Sequence, residues 1–403
     1  MKPLRSSPIL VIVLAQLLGT SLWFSPNSAA ASLLREWGLT AAELGPLTSA
    51  TQFGFIAGTL LLATTGLADR FPASRIFALS CAAGALGNAL FALTATGLAT
   101  GMAWRFLVGL ALAGIYPLGM KMIISWTQRN TGATLGLLVA MLTLGSALPH
   151  GVRAAGIGWP WESVVLTSSL LALLAGVVVY LLGEGPHLPP ARRRAIPWGS
   201  ALRVFLNPKF RSSAFGYFGH MWELYAFWTL LPFLVAGCLR VATGAGQPAL
   251  TSALTFGIMG AMGATGAILA GAASERLGSP RVAALALFTS GLMCLLFPFV
   301  PDSLWVLQLG LLVIWGLSVV SDSAQFSATS AKVCPAHLVG GALALQNSLG
   351  FLLSTVSINL VMASYENLQA SVAWLLLPGP ILGLLCFRRL LRSEAWTRAT
   401  ADR

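Results

Sequence analysis

Gly66-Leu-Ala-Asp69-Arg70-Phe-Pro-Ala-Ser-Arg75 and Gly271-Ala-Ala-Ser-Glu275-Arg276-Leu-Gly-Ser-Pro-Arg281 echo each other 206 residues apart. Asp69 answers to Glu275, Arg70 to Arg276 and Arg75 to Arg281, and each triplet sits between two long apolar segments of a chain otherwise poor in charge. A charged loop repeated at the same place in each half is the sequence mark of a duplicated membrane bundle. Bundles of that kind are most often transporters, in which one half rocks against the other.

Composition names the solvent. Hydrophobic residues make up 56% of the 403 and charged residues only 9%, far below the roughly 25% charge of soluble domains. Apolar stretches near the roughly 20 residues that cross a bilayer as a helix occur at about 8–31, 45–67, 75–95, 97–126, 132–154, 162–183, 212–237, 249–273, 281–300, 303–326, 338–363 and 370–388. The expectation is an all-α membrane protein of twelve transmembrane helices in two pseudo-symmetric six-helix halves. The Pro- and Arg-rich interruption at 184–211 divides it into an N-terminal half, 1–183, a basic linker, and a C-terminal half with a short tail, 212–403.

A net charge of +12 would suit a nucleic-acid partner if the basic residues clustered on one soluble face. They fall instead in alternate loops. Placing the N-terminus in the cytoplasm puts 19 of the 24 Lys and Arg residues inside and only Arg35, Arg153 and Arg240 outside, with Arg105 and Lys121 inside helix 4. Both termini are therefore expected to be cytoplasmic. The linker run Arg192-Arg193-Arg194 reads as an anchor for anionic membrane lipid, and no nucleic-acid partner is indicated. Residues 1–31 imitate a secretory signal, but the apolar stretch is too long and eleven spans follow. The five cysteines show no metal-site spacing, no phosphate-cradling Gly-x4-Gly-Lys-Ser/Thr occurs, and no cofactor is expected.

The loop Gly-Leu-Ala-Asp-Arg-x4-Arg resembles the signature loop of the major facilitator superfamily, and Arg105-Phe-Leu-Val-Gly109 resembles that family's Arg-x3-Gly motif in helix 4. The loop departs from the usual form at Pro72-Ala73, where a Gly commonly lies. The longer stretch Arg105-Phe-Leu-Val-Gly-x4-Gly-Ile-Tyr116-Pro117 is similar to helix 4 of the organic-anion/proton symporters, although Leu110 to Ala113 lack the acidic residue those carriers often place there. The resemblance implies an alternating-access carrier, and a cytoplasmic face braced by Asp69, Arg70, Arg75, Glu275, Arg276 and Arg281.

An ionisable side chain at mid-membrane is costly, by at least about 2.5–3.5 kcal/mol, so each one is a functional candidate. Glu223 lies near the middle of helix 7 with His220 three residues earlier on the same face and Phe227 next along it; they are either a proton-coupling pair or a self-satisfying buried one. Arg105 either snorkels to the interface or turns inward to hold an anion with its donor fork, as the resemblance implies. Matching Gly109 to Gly310 sets helix 4 on helix 10 at an offset of 201 and places Lys121 opposite Asp322, a candidate inner-gate pair. Tyr116, Gln16, Asn27 and Gln325 are candidate cavity residues. His150 and Arg153, ending helix 5, are expected in solvent, and Gly257, Gly260, Gly263 and Gly266 of helix 8 form a packing face.

The expected function is secondary active transport of a small organic solute, with an organic anion as the candidate, coupled to protons, by a monomer in the cell inner membrane. The alternatives are a proton-driven exporter of amphipathic compounds, disfavoured by a helix 5 that lacks the Gly-Pro pair of drug antiporters, and a transporter-like sensor or lipid-handling protein. No convergent nucleophile and base points to an enzyme.

Overall fold

The computed structural model describes residues 7–127, 131–187, 202–335 and 338–401, without the side chains of 69, 131–133, 135 and 393–401. Ten helical stretches are long and apolar enough to cross a membrane. One of these, Val339–Arg392, contains two helices around a 3-10 segment, Gln369–Leu375, and the first span is broken into short pieces. The described residues thus form twelve spans. They are α1 (Pro8–Thr20, Ser25–Ser28 and Ala30–Glu36), α2 (Ala41–Thr65), α3 (Ala73–Thr94), α4 (Leu98–Leu112 and Tyr116–Trp126), α5 (Thr131–Ala155) and α6 (Trp161–Leu182) in the first half. The second holds α7 (Pro208–Thr243), α8 (Pro248–Thr255, a π-helical Phe256–Met262, and Gly263–Leu277), α9 (Ser279–Leu296), α10 (Trp305–Ser321 and Ser323–Val333), α11 (Val339–Leu368) and α12 (Pro378–Ala401).

The breaks follow from the sequence. Pro26 has no N–H to give the carbonyl four residues back, which frees Leu22 O, and Pro117 does the same to Ala113 O in α4. The last helix begins eight residues later than its apolar stretch, because Gln369, at φ +47°, ends α11 and the 3-10 turns lead into Pro378 and Pro380.

The two halves repeat at a register that corrects one expectation. The starts of α4 and α10, 98 and 305, and their ends, 126 and 333, each differ by 207. That matches the 206 of the charged loops and contradicts the offset of 201, so Lys121 and Asp322 are not equivalent positions. Gly109 and Gly310 were a false anchor. A Cβ on Gly109 would lie 2.0 Å from Thr51 O of α2, whereas one on Gly310 meets nothing within 4 Å.

The halves meet along α2 with α11 and α5 with α8. Asn359 of α11 donates to Ser49 Oγ at 2.9 Å, and the Ala41 N–H at the start of α2 donates to Glu366 Oε1 at 3.3 Å. Across the other seam, Gly260 lies against Ala147 and Gly263 against Thr143, where a Cβ would come within 2.8 and 2.7 Å. Gly266 abuts Leu317 O of α10, whereas a Cβ on Gly257 would meet no described residue within 4 Å. Small residues allow such approach between helices in lipid, where packing rather than water exclusion drives association.

Candidate functional site

Where the breaks bring α1 inward, aromatic rings from both halves meet. Trp23 stacks on Tyr225 of α7 (5.7 Å, 20°) and on Phe351 of α11 (5.8 Å, 20°), and Phe55 of α2 packs against Phe351 at 4.6 Å. Phe24 meets Trp228 of α7 edge-on at 5.6 Å. Aromatic pairs of this kind contribute about 0.5–1.5 kcal/mol each beyond area burial. The seam, with the Asn359–Ser49 and Glu366–Ala41 bonds beyond it, closes the bundle on the face away from the termini.

On the terminus-bearing side of the seam lies a cavity between the two halves. Tyr116 (α4), Thr143 (α5), Tyr217 and Trp228 (α7), Ser327 (α10) and Asn347 (α11) are among its walls, so both halves contribute. Tyr217, Met221, Leu224 and Trp228 form one stripe of α7 at helical spacing. Of the candidate solute residues, Tyr116 alone reaches this cavity. Gln16 is fully buried with its amide unpaired, its Oε1 beside Gly119; Asn27 donates to Thr48 Oγ1 at 2.9 Å; Gln325 is buried away from the cavity walls.

The neighbouring stripe of α7, His220, Glu223 and Phe227, faces α9 and α10 instead. Glu223 is fully buried; its Oε1 accepts from Trp315 Nε1 at 2.6 Å and Cys294 Sγ at 3.4 Å, and its Oε2 from Ser290 Oγ at 2.9 Å. Phe227 stacks on Trp315 at 4.4 Å. His220 partners Asp322 rather than Glu223: Nδ1 lies 2.7 Å from Oδ1, with both side chains at 1% exposure or less. The expected His220–Glu223 pair thus resolves into two adjoining clusters, Glu223 with three side-chain donors and His220 with Asp322. None of these groups lines the cavity, but the His220 ring lies 5.9 Å from that of Tyr217, which does.

Arg105 does neither of the things expected of it. It is 1% exposed, so it does not snorkel. Nε donates to Thr51 Oγ1 (3.1 Å), Nη1 to Asn88 Oδ1 (2.8 Å), and Nη2 to Leu22 O (2.9 Å) and Trp23 O (2.7 Å). The carbonyl that Pro26 frees is therefore satisfied by the guanidinium. Asn88 of α3 extends the network to α6 through Val165 O and Ser169 Oγ. The fork fixes the bend of α1 that carries Trp23, and it is not open to an anion.

The expected inner gate is likewise rearranged. Lys121 donates to Ala68 O in its own half, while Asp322 is held by His220 in the other. Arg70, Arg75, Glu275, Arg276 and Arg281 are exposed and make no ion pair with a described residue; the Asp69 side chain and Arg192 to Arg194 lie outside the described residues. The loop is tied instead by Ala73 N–H, which donates to Glu184 Oε1. His150, expected in solvent, is 1% exposed with Nε2 unpaired. Sequence reasoning missed Asn88, Trp315 and the aromatic seam. Asn88, a lone amide in an apolar helix, was the one with a visible signal.

Two bundles repeated at 207 residues, joined along α2–α11 and α5–α8 around a cavity lined by both, agree with one family, and residues 12–358 match the Major Facilitator Superfamily. The chain belongs to the Major Facilitator Superfamily. Three relatives within that superfamily align locally. The niacin transporter NiaP of Acinetobacter baylyi is 29% identical over 168 residues, 39% of this chain and 36% of the relative. A triacylglyceride transporter of Mycobacteroides abscessus is 28% identical over 169 residues (41% and 32%), and the 4-hydroxybenzoate transporter PcaK of Pseudomonas aeruginosa 32% over 171 residues (41% and 37%). The chain thus covers about a third of the length of these relatives. The crystal structure of a D-xylose-proton symporter superposes with a TM-score of 0.75 at 14% identity, covering 96% of this chain and 97% of that one. It shares the Major Facilitator fold.

Proposed function

We propose that this Major Facilitator protein is a secondary transporter that moves a small organic solute by alternating access, coupled to protons. The observation that carries the reading is the pairing of a cavity walled by both halves with ionisable groups buried beside its α7 and α10 walls. Glu223 is the proton carrier, His220 and Asp322 tune it, and α7 links the two, since its two stripes face the cavity and the clusters respectively. The units that rock are residues 1–183 and 212–403, joined by the 184–211 linker, with both termini cytoplasmic in the cell inner membrane and the protein a monomer. The exposed loop charges, with Asp69, brace the cytoplasmic face in the state opposite to the one described, each state being favoured only by its own contacts.

Two of the three relatives are named for aromatic carboxylic acids, which supports a compact aromatic solute. The triacylglyceride transporter favours a lipid-handling reading, whereas walls of Tyr, Trp and Asn side chains suit a compact aromatic solute better.

The test is reconstitution into liposomes, with uptake measured with and without an inward proton gradient. Glu223→Gln should abolish gradient-driven accumulation yet keep counterflow, because the amide imitates the protonated acid and cannot cycle. Full accumulation by that variant would remove Glu223 from the coupling role.

A further inference from the structure

We infer that the cavity binds its solute uncharged, as a planar aromatic molecule carrying hydrogen-bond acceptors, so that an aromatic acid enters only with its carboxyl protonated. This rests on the carrier reading of the same cavity and departs from the anion that Arg105 was expected to hold.

No charged side chain is among the described residues that line the cavity. The cations that a carboxylate would seek are engaged elsewhere: Arg105 makes four hydrogen bonds to Thr51, Asn88 and the α1 bend, and Lys121 donates to Ala68 O. His220, Glu223 and Asp322 do not line the cavity: His220 and Asp322 face each other at 2.7 Å, and the Glu223 carboxyl is taken up by Trp315, Ser290 and Cys294. A carboxylate held without a counter-charge in an apolar site is expensive, whereas its neutral form loses only hydrogen bonds that the walls can replace.

The walls offer those replacements. Trp228 is 1% exposed, lines the cavity, and its Nε1 donor has no partner among the described residues. Tyr116, Tyr217 and Tyr225 bring phenol hydroxyls to the same space and Asn347 an amide. Indole and phenol faces suit a flat ring, which packs offset or edge-on against them. Trp228 is also the ring that Phe24 meets across the seam, so a solute bonded to its indole N–H touches the closing element directly.

The experiment measures equilibrium binding of radiolabelled benzamide, benzoate, 4-hydroxybenzamide and 4-hydroxybenzoate to the purified full-length protein at pH 8, 7 and 6. The two amides should bind with a Kd constant to within about twofold over that range. The two acids should bind more weakly at pH 8 and tighten about tenfold for each unit of pH lost, following the neutral fraction of a carboxyl whose ordinary pKa is about 4. Trp228→Phe, which keeps the ring and removes the donor, should weaken the amides about tenfold while leaving thermal unfolding within a few degrees of the parent. Acids that bind at pH 8 as tightly as at pH 6 would overturn the inference, as would acids that outbind the amides at pH 8, or an absence of binding by all four probes. Binding as described but no flux in liposomes would defeat the carrier reading and leave the chemistry of the cavity standing.

Discussion

His220 Nδ1 lies 2.7 Å from Asp322 Oδ1, and this contact joins α7 to the break in α10 where neither side chain meets solvent. A buried pair of this kind owes little net stability to its attraction, but losing one member strands the other. Asp322→Leu or His220→Leu alone should therefore destabilise the protein by about 3–5 kcal/mol, and the double leucine variant should recover most of that loss. Thermal unfolding in detergent, followed by a thiol-reactive dye on the buried cysteines, reads the difference. Two single variants whose effects simply add would show that the pair does not act as a unit.

The Arg105 network gives a prediction of opposite character. Lysine cannot span Thr51, Asn88 and two carbonyls from one ammonium, and each buried acceptor left unpaired costs about 1–3 kcal/mol. Arg105→Lys should lower the unfolding temperature clearly, yet the folded fraction should bind solute within about threefold of the parent. A selective loss of affinity at unchanged stability would restore Arg105 to the role of an anion clamp.

Lys121 and Asp322 belong to separate networks, one in each half. Charge reversal at both should therefore give changes that add to within about 0.3–0.5 kcal/mol, as for independent sites. Rescue of either reversal by the other, in accessibility or stability, would mean that the two residues meet.

Trp23 closes the seam by stacking on Tyr225 and Phe351. In a background lacking Cys386, the one cysteine not fully buried, a cysteine placed at Ser327 reports on the cavity. Trp23→Ala should raise its labelling by an impermeant maleimide added from the face away from the termini. Unchanged labelling would mean that the Asn359–Ser49 and Glu366–Ala41 contacts seal that face unaided.

The fold was legible because lipid imposes long apolar runs and leaves charge to the loops, so Asp69-Arg70 and Glu275-Arg276 marked the repeat without any knowledge of contacts. The chemistry of α7 was legible for the same reason, since Glu223 and His220 are conspicuous in an apolar helix. Their partners were not. Trp315, Ser290 and Cys294 reach Glu223 from α9 and α10, and an aromatic or small polar residue within an apolar run has the same appearance whether it lines a seam, donates to a carboxylate or fills space. Arg105 misled because a free guanidinium and one that mends a helix broken by Pro26 are indistinguishable until α1 and α4 are seen together.

Gly54 and Gly109 lie on facing surfaces of α2 and α4, where a Cβ would come 1.9 Å from Phe106 O and 2.0 Å from Thr51 O respectively. With backbone pressed on backbone, these two helices have no side-chain layer between them to slide or repack. α2 also carries the seam with α11, through Ser49 and Phe55. A displacement that begins at α11 is thus handed to α4, and through Arg105 to the bend of α1, with almost no slack: the N-terminal half behaves as a stiff crank, and a single methyl group at Gly54 or Gly109 would wedge its bearing.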